Sequence, residues 1–259
     1  MRTTLDDTLF ARQVSSLHEL VQALRLVHDN YVRCGYMAPE PSGMRVGPRY
    51  ALPSTRAYVA AQRNRVVATM TLFADSPLGL PLDDLYPDVS GELRAADRTI
   101  MEVGMLADRR RELTRGIDLL MGMMKLVFHD CRAVQADDLL ITVNPRHAKF
   151  YSRLLYFEQL GEQRCYASVG GAPAVLLRLP VSEIAPKDVP NRRIREFFFS
   201  PVEEEAVPDR YVVCREDLEE LFVRHSDVLL NLTPAQAEAI EACYPGLVIA
   251  DLLAAGHAA

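Results

Sequence analysis

The 259-residue sequence lacks the marks of several protein classes. Its opening, M-R-T-T-L-D-D-T-L-F, holds no apolar run of the kind a secretory signal needs. No stretch approaches the ~18 apolar residues of a membrane span. A cytoplasmic protein with no transmembrane segment is therefore expected. Cysteine is sparse: Cys34, Cys131, Cys165, Cys214 and Cys243 are scattered, odd in number and never spaced C-x-x-C. That pattern suits a reducing compartment, with neither a disulfide framework nor a zinc site. Inert buried thiols are expected, with a lone reactive thiol as the alternative. Histidines, cysteines and carboxylates nowhere cluster at metal-ligand spacing, and no G-x-S-x-G places a nucleophile on a strained turn. A metal centre is not expected, and direct group transfer is preferred over a covalent enzyme intermediate. The formal net charge of −6 removes the basic surface that a general nucleic-acid binder requires. Repeats and low-complexity tracts are also missing.

What is present is an ordinary globular composition, 49% hydrophobic and 25% charged, long enough to bury a substantial core. From Val14 to Tyr31 the residues Leu17, Leu20, Val21, Leu24 and Val27 recur at helical spacing, and Ser16 with Glu19 reads as a capping box. Gly35 to Pro53 is rich in proline and glycine and reads as an irregular loop. Arg56–Ala61 and Val66–Ala74 are expected to pair as antiparallel strands. The connection from Asp75 to Arg98 is long for a compact domain and suggests a substrate-covering flap. Its Leu78, Leu80, Leu82, Leu85 and Tyr86 would cover apolar cargo or, alternatively, anchor the segment on the core.

The stretch from Thr99 to Phe157 reads strand, basic turn, helix, strand, helix, which is a βαβα unit. Its helix, Arg115 to Cys131, is expected to bury Ile117, Leu120, Met121, Met124, Val127 and Phe128. Two features set the unit apart. Glu102 lies within the first strand, and Arg109, Arg110 and Arg111 crowd the start of the helix. The positive end of a helix dipole repels cations, so arginines gather there when they share an anion; a solvated turn is the plain alternative. Asp138–Val143 is the next strand, and Pro145 opens a further helix where proline is tolerated. Arg164–Val169 and Ala174–Leu179 bracket G-G-A-P as a final hairpin.

R-E-L-T-R-G (Arg111 to Gly116) resembles the R/Q-x-x-G-x-G/A phosphate loop of the GNAT N-acyltransferases, with Thr114 where the first glycine is usual. N-P-R-H-A-K-F-Y (Asn144 to Tyr151), followed by Tyr156 and Phe157, resembles their N-x-x-A-x-x-L-Y…G-F helix. L-P-L-D-D-L-Y-P-D, I-M-E-V-G-M-L-A-D and V-N-P-R-H-A-K-F-Y together resemble the long-chain N-acyl amino acid synthases of the FeeM type, GNAT-fold relatives of acyl-homoserine-lactone synthases. The resemblance covers roughly residues 14 to 182. It implies an α/β (α+β) fold, a mixed sheet flanked by helices. It also implies transfer of a long fatty acyl group from acyl carrier protein to the amino group of an amino acid. No tightly bound cofactor is implied; the co-substrate would be an acyl-phosphopantetheine thioester, on acyl carrier protein or coenzyme A.

The same resemblance suggests roles for individual residues. Glu102 would be the base or would orient the ammonium, with a salt-bridged strand carboxylate as the alternative. Backbone N–H groups from Val103 to Leu106, Met105 included, would polarise the thioester carbonyl. Tyr151 would protonate the departing thiolate, or is a core tyrosine. His147, four residues before Tyr151 and on the same helix face, would shuttle protons, or is a surface histidine. Arg109, Arg110, Arg111, Thr114, Arg115 and Gly116 would cradle the donor phosphate, with Asn144 also binding the donor or simply capping its helix. Met101, Met105, Met121, Met123 and Met124 fall close together and would line an acyl chain or fill the core.

Near Pro180 the texture changes to a proline-punctuated stretch with an aromatic run at Phe197–Phe199 and two expected helices, Arg215–His225 and one from Thr233. Residues 10–182 are therefore read as the GNAT-like domain and 183–259 as an α-helical extension, whose apolar residues must dock on that domain or on a partner. Two other functions stay open: another GNAT transferase, either coenzyme A-dependent or making acyl-homoserine lactones, and a non-catalytic acyl or carrier-protein binding module.

Overall fold

In the computed structural model of the chain, residues 10–62, 64–109, 116–202 and 211–256 are described. The apolar runs of the first half become β1 (Phe10–Gln13), β2 (Arg56–Gln62), β3 (Arg65–Ala74), β4 (Ile100–Asp108) and β5 (Asp138–Val143). They are followed by β6 (Glu158–Gln159), β7 (Arg164–Tyr166) and β8 (Ala172–Pro180). The sheet order is β1-β2-β3-β4-β5-β8-β6, and β7 pairs with the first residues of β8. Most neighbours are antiparallel; β4 and β5 are parallel. β3 is buried on both faces, which explains its near-continuous V-V-A-T-M-T-L-F run. Asn64 closes the β2–β3 hairpin at φ 63°, a backbone region that asparagine tolerates.

Helix α1 (Leu17–Arg33) covers one face of the sheet and α3 (Gly116–Ala133) the other. The alternation of β4 divides its side chains accordingly. Ile100 packs with Leu20, Leu24 and Val27 of α1. Met101 and Val103 pack with Met123, Val127 and Phe128 of α3. Fully buried side chains of this size contribute about 1.5–3 kcal/mol each. The β4–β5 register starts at Ile100–Asp138, where the buried Asp138 carboxylate accepts from both Arg98 and Arg178. That pairing ties the near ends of β4, β5 and β8 together.

Ser16 caps α1 as expected, accepting from the Glu19 N–H. The Glu19 carboxylate does not complete the box. It accepts from Ser15 and Arg12, and the Arg12 hydrogen bonds hold it down to about 2. The burial pattern of α3 also differs from its expected face. Ile117 is 62% exposed, whereas Leu119, Met123, Leu126 and Cys131 are buried. The buried stripe also faces α5 (Arg192–Phe199), whose Phe198 ring meets Phe128 edge-on with centroids 4.6 Å apart.

The Asp75–Arg98 connection is a structured segment whose apolar residues anchor it on the core. It holds a short 3₁₀ turn at Pro81–Asp84 and the helix α2 (Pro87–Ala95), and Leu80, Leu82 and Tyr86 are buried in the α1-side core. Side chains from outside take its backbone carbonyls. Arg49 donates to Leu78, Gly79 and Leu80, Tyr166 to Pro81, and Arg164 to Leu85. Arg94 adds ion pairs to Asp75 and Asp83. The proline-punctuated sequence hides α2 because Pro87 sits at its first turn, where proline starts a helix rather than breaking one.

Beyond β8, α6 (Arg215–Leu218) runs into a π-helical turn at Glu219–Val223 instead of continuing to His225 as α-helix. α7 (Pro234–Glu241), capped by Thr233, and α8 (Ile249–Gly256) follow. Phe198 and Val189 join the α3-side core, while Leu218, Leu221, Phe222, Ile240 and Leu252 join the α1-side core. The Tyr244 hydroxyl donates to the carbonyls of Ala51 and Val213. Among the described residues no helix is long and apolar enough to cross a membrane.

Candidate active site

Two residues beyond Ile100, Glu102 points to the α1 side of the sheet and is only 3% exposed. Its register partners are Phe73 on β3 and Leu140 on β5. The Leu82 N–H donates to its carboxylate at 2.8 Å. Burial pushes this carboxyl up to about 8, with Asp83 and Asp84 adding to the rise while the Leu82 N–H and the Arg49 guanidinium oppose it. A carboxyl that changes charge near neutrality, fixed by one backbone donor, is suited to exchanging a proton with an amine.

Just past Glu102 the sheet opens. Pairing between β4 and β5 ends at Val103–Ile141, although β4 continues to Asp108. On the β3 side the register shifts between Thr69 and Thr71, opposite Gly104 to Ala107, so β4 carries a bulge there. Within it Met105 adopts φ 55°, a strained region for a residue with a side chain. The bulge reverses the alternation, and Met105 joins the α1-side core instead of the α3-side one. Of the five methionines singled out in the sequence, Met101, Met123 and Met124 are closed into the α3-side core and Met121 packs partly buried against it. They do not form one lining with Met105, because the sheet separates them.

A cleft of about 720 Å³ lies on the Glu102 side, bordered by Arg45, Tyr50, Phe73, Pro81, Met105 and Tyr166. Its far wall comes from the C-terminal segment, Val223 to Val228. Most polar groups of the wall are already committed. The Tyr50 hydroxyl bonds Thr71 at 2.8 Å, Tyr166 donates to Pro81, and Arg49 is spent on three carbonyls. Among the described residues, Arg45 Nε and Ser226 Oγ in the wall and Thr142 Oγ1 on β5 are buried without a hydrogen-bond partner. Thr142 lies opposite Leu176 of the α1-side core, one residue past the last β4–β5 pair.

The remaining sequence candidates are dispersed. Tyr151, on α4 (Pro145–Leu154), is 6% exposed and sits in the α3-side core against Phe150 and Phe157. Burial alone raises its phenol to about 12, and its hydroxyl has no hydrogen-bond partner among the described residues. Tyr151 and Glu102 thus stand on opposite sides of the sheet, and a molecule touching both must pass through the opening between β4 and β5. His147 accepts at Nε2 from Arg146 Nε at 3.0 Å, which requires a neutral ring nitrogen there. Asn144 caps α4, accepting from the Arg146 N–H. Arg109 continues from β4, its N–H donating to Val67 and its Nε to Val66. Gly116 is the first residue of α3. Arg110, Arg111, Thr114 and Arg115 lie outside the described residues. Arg45, Thr142 and Ser226 escape sequence reasoning, since a single arginine or hydroxyl in a loop or strand carries no spacing signal.

Comparison with known proteins places this geometry. The profile of the N-acyl amino acid synthase FeeM family matches residues 22–180, well over half of the chain. The solved structure of FeeM, an N-acyl amino acid synthase from uncultured soil microbes, is 26% identical. It superposes with a TM-score of 0.61 over 70% of this chain and 94% of FeeM. BjaI, a coenzyme A-dependent acyl-homoserine lactone synthase solved with SAM and isopentyl-CoA, is 18% identical with a TM-score of 0.56. That match covers 80% of this chain and 96% of BjaI. The acyl-homoserine lactone synthase LasI is 13% identical with a TM-score of 0.55, over 76% of this chain and 98% of its own. At these identities the two synthases share the fold. No curated protein sequence matches the chain significantly. The opened sheet, the buried strand carboxylate and the family match converge, and the chain belongs to the N-acyl amino acid synthase FeeM family of N-acyltransferases.

Proposed function

We propose that this N-acyltransferase moves a long-chain fatty acyl group from the phosphopantetheine of acyl carrier protein to the amino group of an amino acid. The observation that carries the reading is Glu102, a buried carboxyl raised to about 8 beside a strand that opens at the next residue. An amino acid arrives as an ammonium, which cannot attack. Ionised Glu102 takes one proton from it, and burial makes the carboxylate basic enough for that exchange. The neutral amine then attacks the thioester carbonyl, and the N–C bond forms as the C–S bond breaks. Backbone N–H groups from Val103 to Leu106, Met105 included, stabilise the oxyanion along the opened strand. Tyr151 gives a proton to the departing thiolate through the opening, and the nitrogen sheds its second proton as the amide forms, which restores the phenol. The products are the amide and a free thiol, while Glu102 keeps the first proton until solvent removes it. His147 and Asn144 are secondary candidates on the same helix.

The donor assignment rests on charge. The protein is acidic overall, yet Asp108 to Arg115 holds four arginines against two acids. Acyl carrier proteins are acidic and deliver one phosphopantetheine, which favours a basic landing site beside an anion cradle at Arg109–Gly116. Thr114 adds a side chain where a pyrophosphate would gain from glycine. A cytoplasmic setting follows from a carrier-protein donor. Mass spectrometry of lipid extracts from cells expressing the protein is the test, followed by kinetics with acyl carrier protein and coenzyme A thioesters. An N-acyl amino acid is expected. A lactone product would replace the reading with a homoserine lactone synthase, and a faster coenzyme A thioester would overturn the donor.

A further inference from the structure

The cleft on the Glu102 side carries charges of both signs. Arg45 borders it, held by its backbone N–H to the Leu24 carbonyl and by its guanidinium 4.7 Å from the centre of the Tyr31 ring. The only side-chain bond of that guanidinium among the described residues is a weak one to the Met37 sulfur at 3.5 Å. No carboxylate pairs with it among them, and its Nε is buried without a partner. Ser226, on the opposite wall, presents a hydroxyl oxygen that is also buried and has no partner among the described residues. Native folds rarely bury such groups idle. At the other end, Asp84 borders the cleft beside Pro81. Pro81 takes the Tyr166 hydroxyl and precedes Leu82, whose N–H holds Glu102.

Arg45 and Glu102 both act electrostatically on the phenols of Tyr31 and Tyr166, in opposite directions. The cation and the carboxylate therefore both face the same two rings.

We propose that Arg45, with Ser226 of the C-terminal segment, binds the α-carboxylate of the acceptor and so makes the enzyme select amino acids over simple amines. A guanidinium presents a planar fork that matches a carboxylate with two parallel hydrogen bonds. With the carboxylate held there, the ammonium of an α-amino acid is directed toward Asp84 and Glu102. The assignment rests on the N-acyltransferase reading and goes beyond it in naming the selecting residues. Ser226 lies outside the part of the chain that the family profile matches, so its half of the subsite belongs to this chain's extension.

The test uses the full chain with an acyl thioester donor. The acceptors are the best of the twenty amino acids, its carboxamide and its decarboxylated amine. Wild type should prefer the amino acid, and Arg45→Met should shrink its preference over the carboxamide by roughly 10- to 100-fold, mainly through KM. Arg45→Lys should fall between the two because it keeps charge and loses the fork, and Ser226→Ala should reduce the preference several-fold. Calorimetric titration of amino acid and carboxamide without donor reads the same subsite independently of turnover. Equal losses for amino acid and carboxamide, a rise confined to the donor KM, or a wild type indifferent to the carboxylate would each overturn the proposal. If no amine is acylated, yet the amino acid binds and Arg45→Met abolishes the binding, the transferase reading falls and the subsite stands. If there is neither turnover nor binding, both fall.

Discussion

Replacing Glu102 by Gln keeps size and the acceptor for the Leu82 N–H while removing the titration, so stability and catalysis can be separated by pH. The carboxyl rises from 4.5 to about 8 on folding. Between those values the folded protein holds a proton that the unfolded chain has released, so stability falls as pH rises through that window. At about 1.36 kcal/mol per pH unit, the full loss above pH 8 is about 5 kcal/mol. Glu102→Gln should therefore match wild type in urea unfolding near pH 5 and exceed it by several kcal/mol near pH 9. Activity should move the other way. Wild-type kcat/KM should climb with pH toward about 8, whereas the variant should lose about 10²-fold or more and show no such climb. A stability difference independent of pH would refute the buried, raised carboxyl. Full activity of the variant at neutral pH would remove Glu102 from the chemistry.

Tyr151→Phe should lower kcat about tenfold or more with little change in melting temperature, because the hydroxyl has no hydrogen-bond partner among the described residues to lose; a large melting shift would make it a core tyrosine. Met124→Trp should cost about 1–3 kcal/mol by overpacking, measured by thermal melting, and leave the acyl-chain profile of the products alone, since Met124 is closed into the α3-side core. Reversing Arg110 and Arg111 to Glu spares Arg109, whose Nε serves the Val66 carbonyl. It should raise KM for an acyl carrier protein thioester steeply, more at low salt than at high, and much less for a small pantetheine thioester. Equal losses with both donors would assign the turn to local structure or to the pantetheine phosphate.

Strands β2 to β5 and β8 and helices α3 and α4 were legible because their periods are strong and their ends carry proline, glycine or a capping residue. Glu102 was legible as a carboxylate in an apolar strand, although the sequence held no sign of the Leu82 N–H that fixes it. What could not be read depends on three-dimensional pairing. The Asp75–Arg98 segment reads as a loop because the donors that pin it, Arg49, Tyr166 and Arg164, come from distant positions. The five methionines read as one group because a bulge that turns Met105 to the other face leaves no period to detect. Ile117 satisfies helical spacing and is still exposed. The contribution of Val223–Val228 to the cleft is a matter of chain return, which no local pattern encodes.

The bond between the Tyr244 hydroxyl and the Ala51 carbonyl joins positions 193 residues apart. Contacts at such separations form after local hairpins, because closing a long loop costs entropy before it gives any return. During synthesis the N-terminal part emerges first, at about 5–20 residues per second. The β2–β3 hairpin, the bulged β4 and the pocket around Glu102 can therefore take shape while the residues of the far cleft wall are still being added. A chain cut after β8 would carry its carboxyl in a trough open on one side. The order of translation thus separates, in time, the making of the reactive group from the making of the enclosure around it.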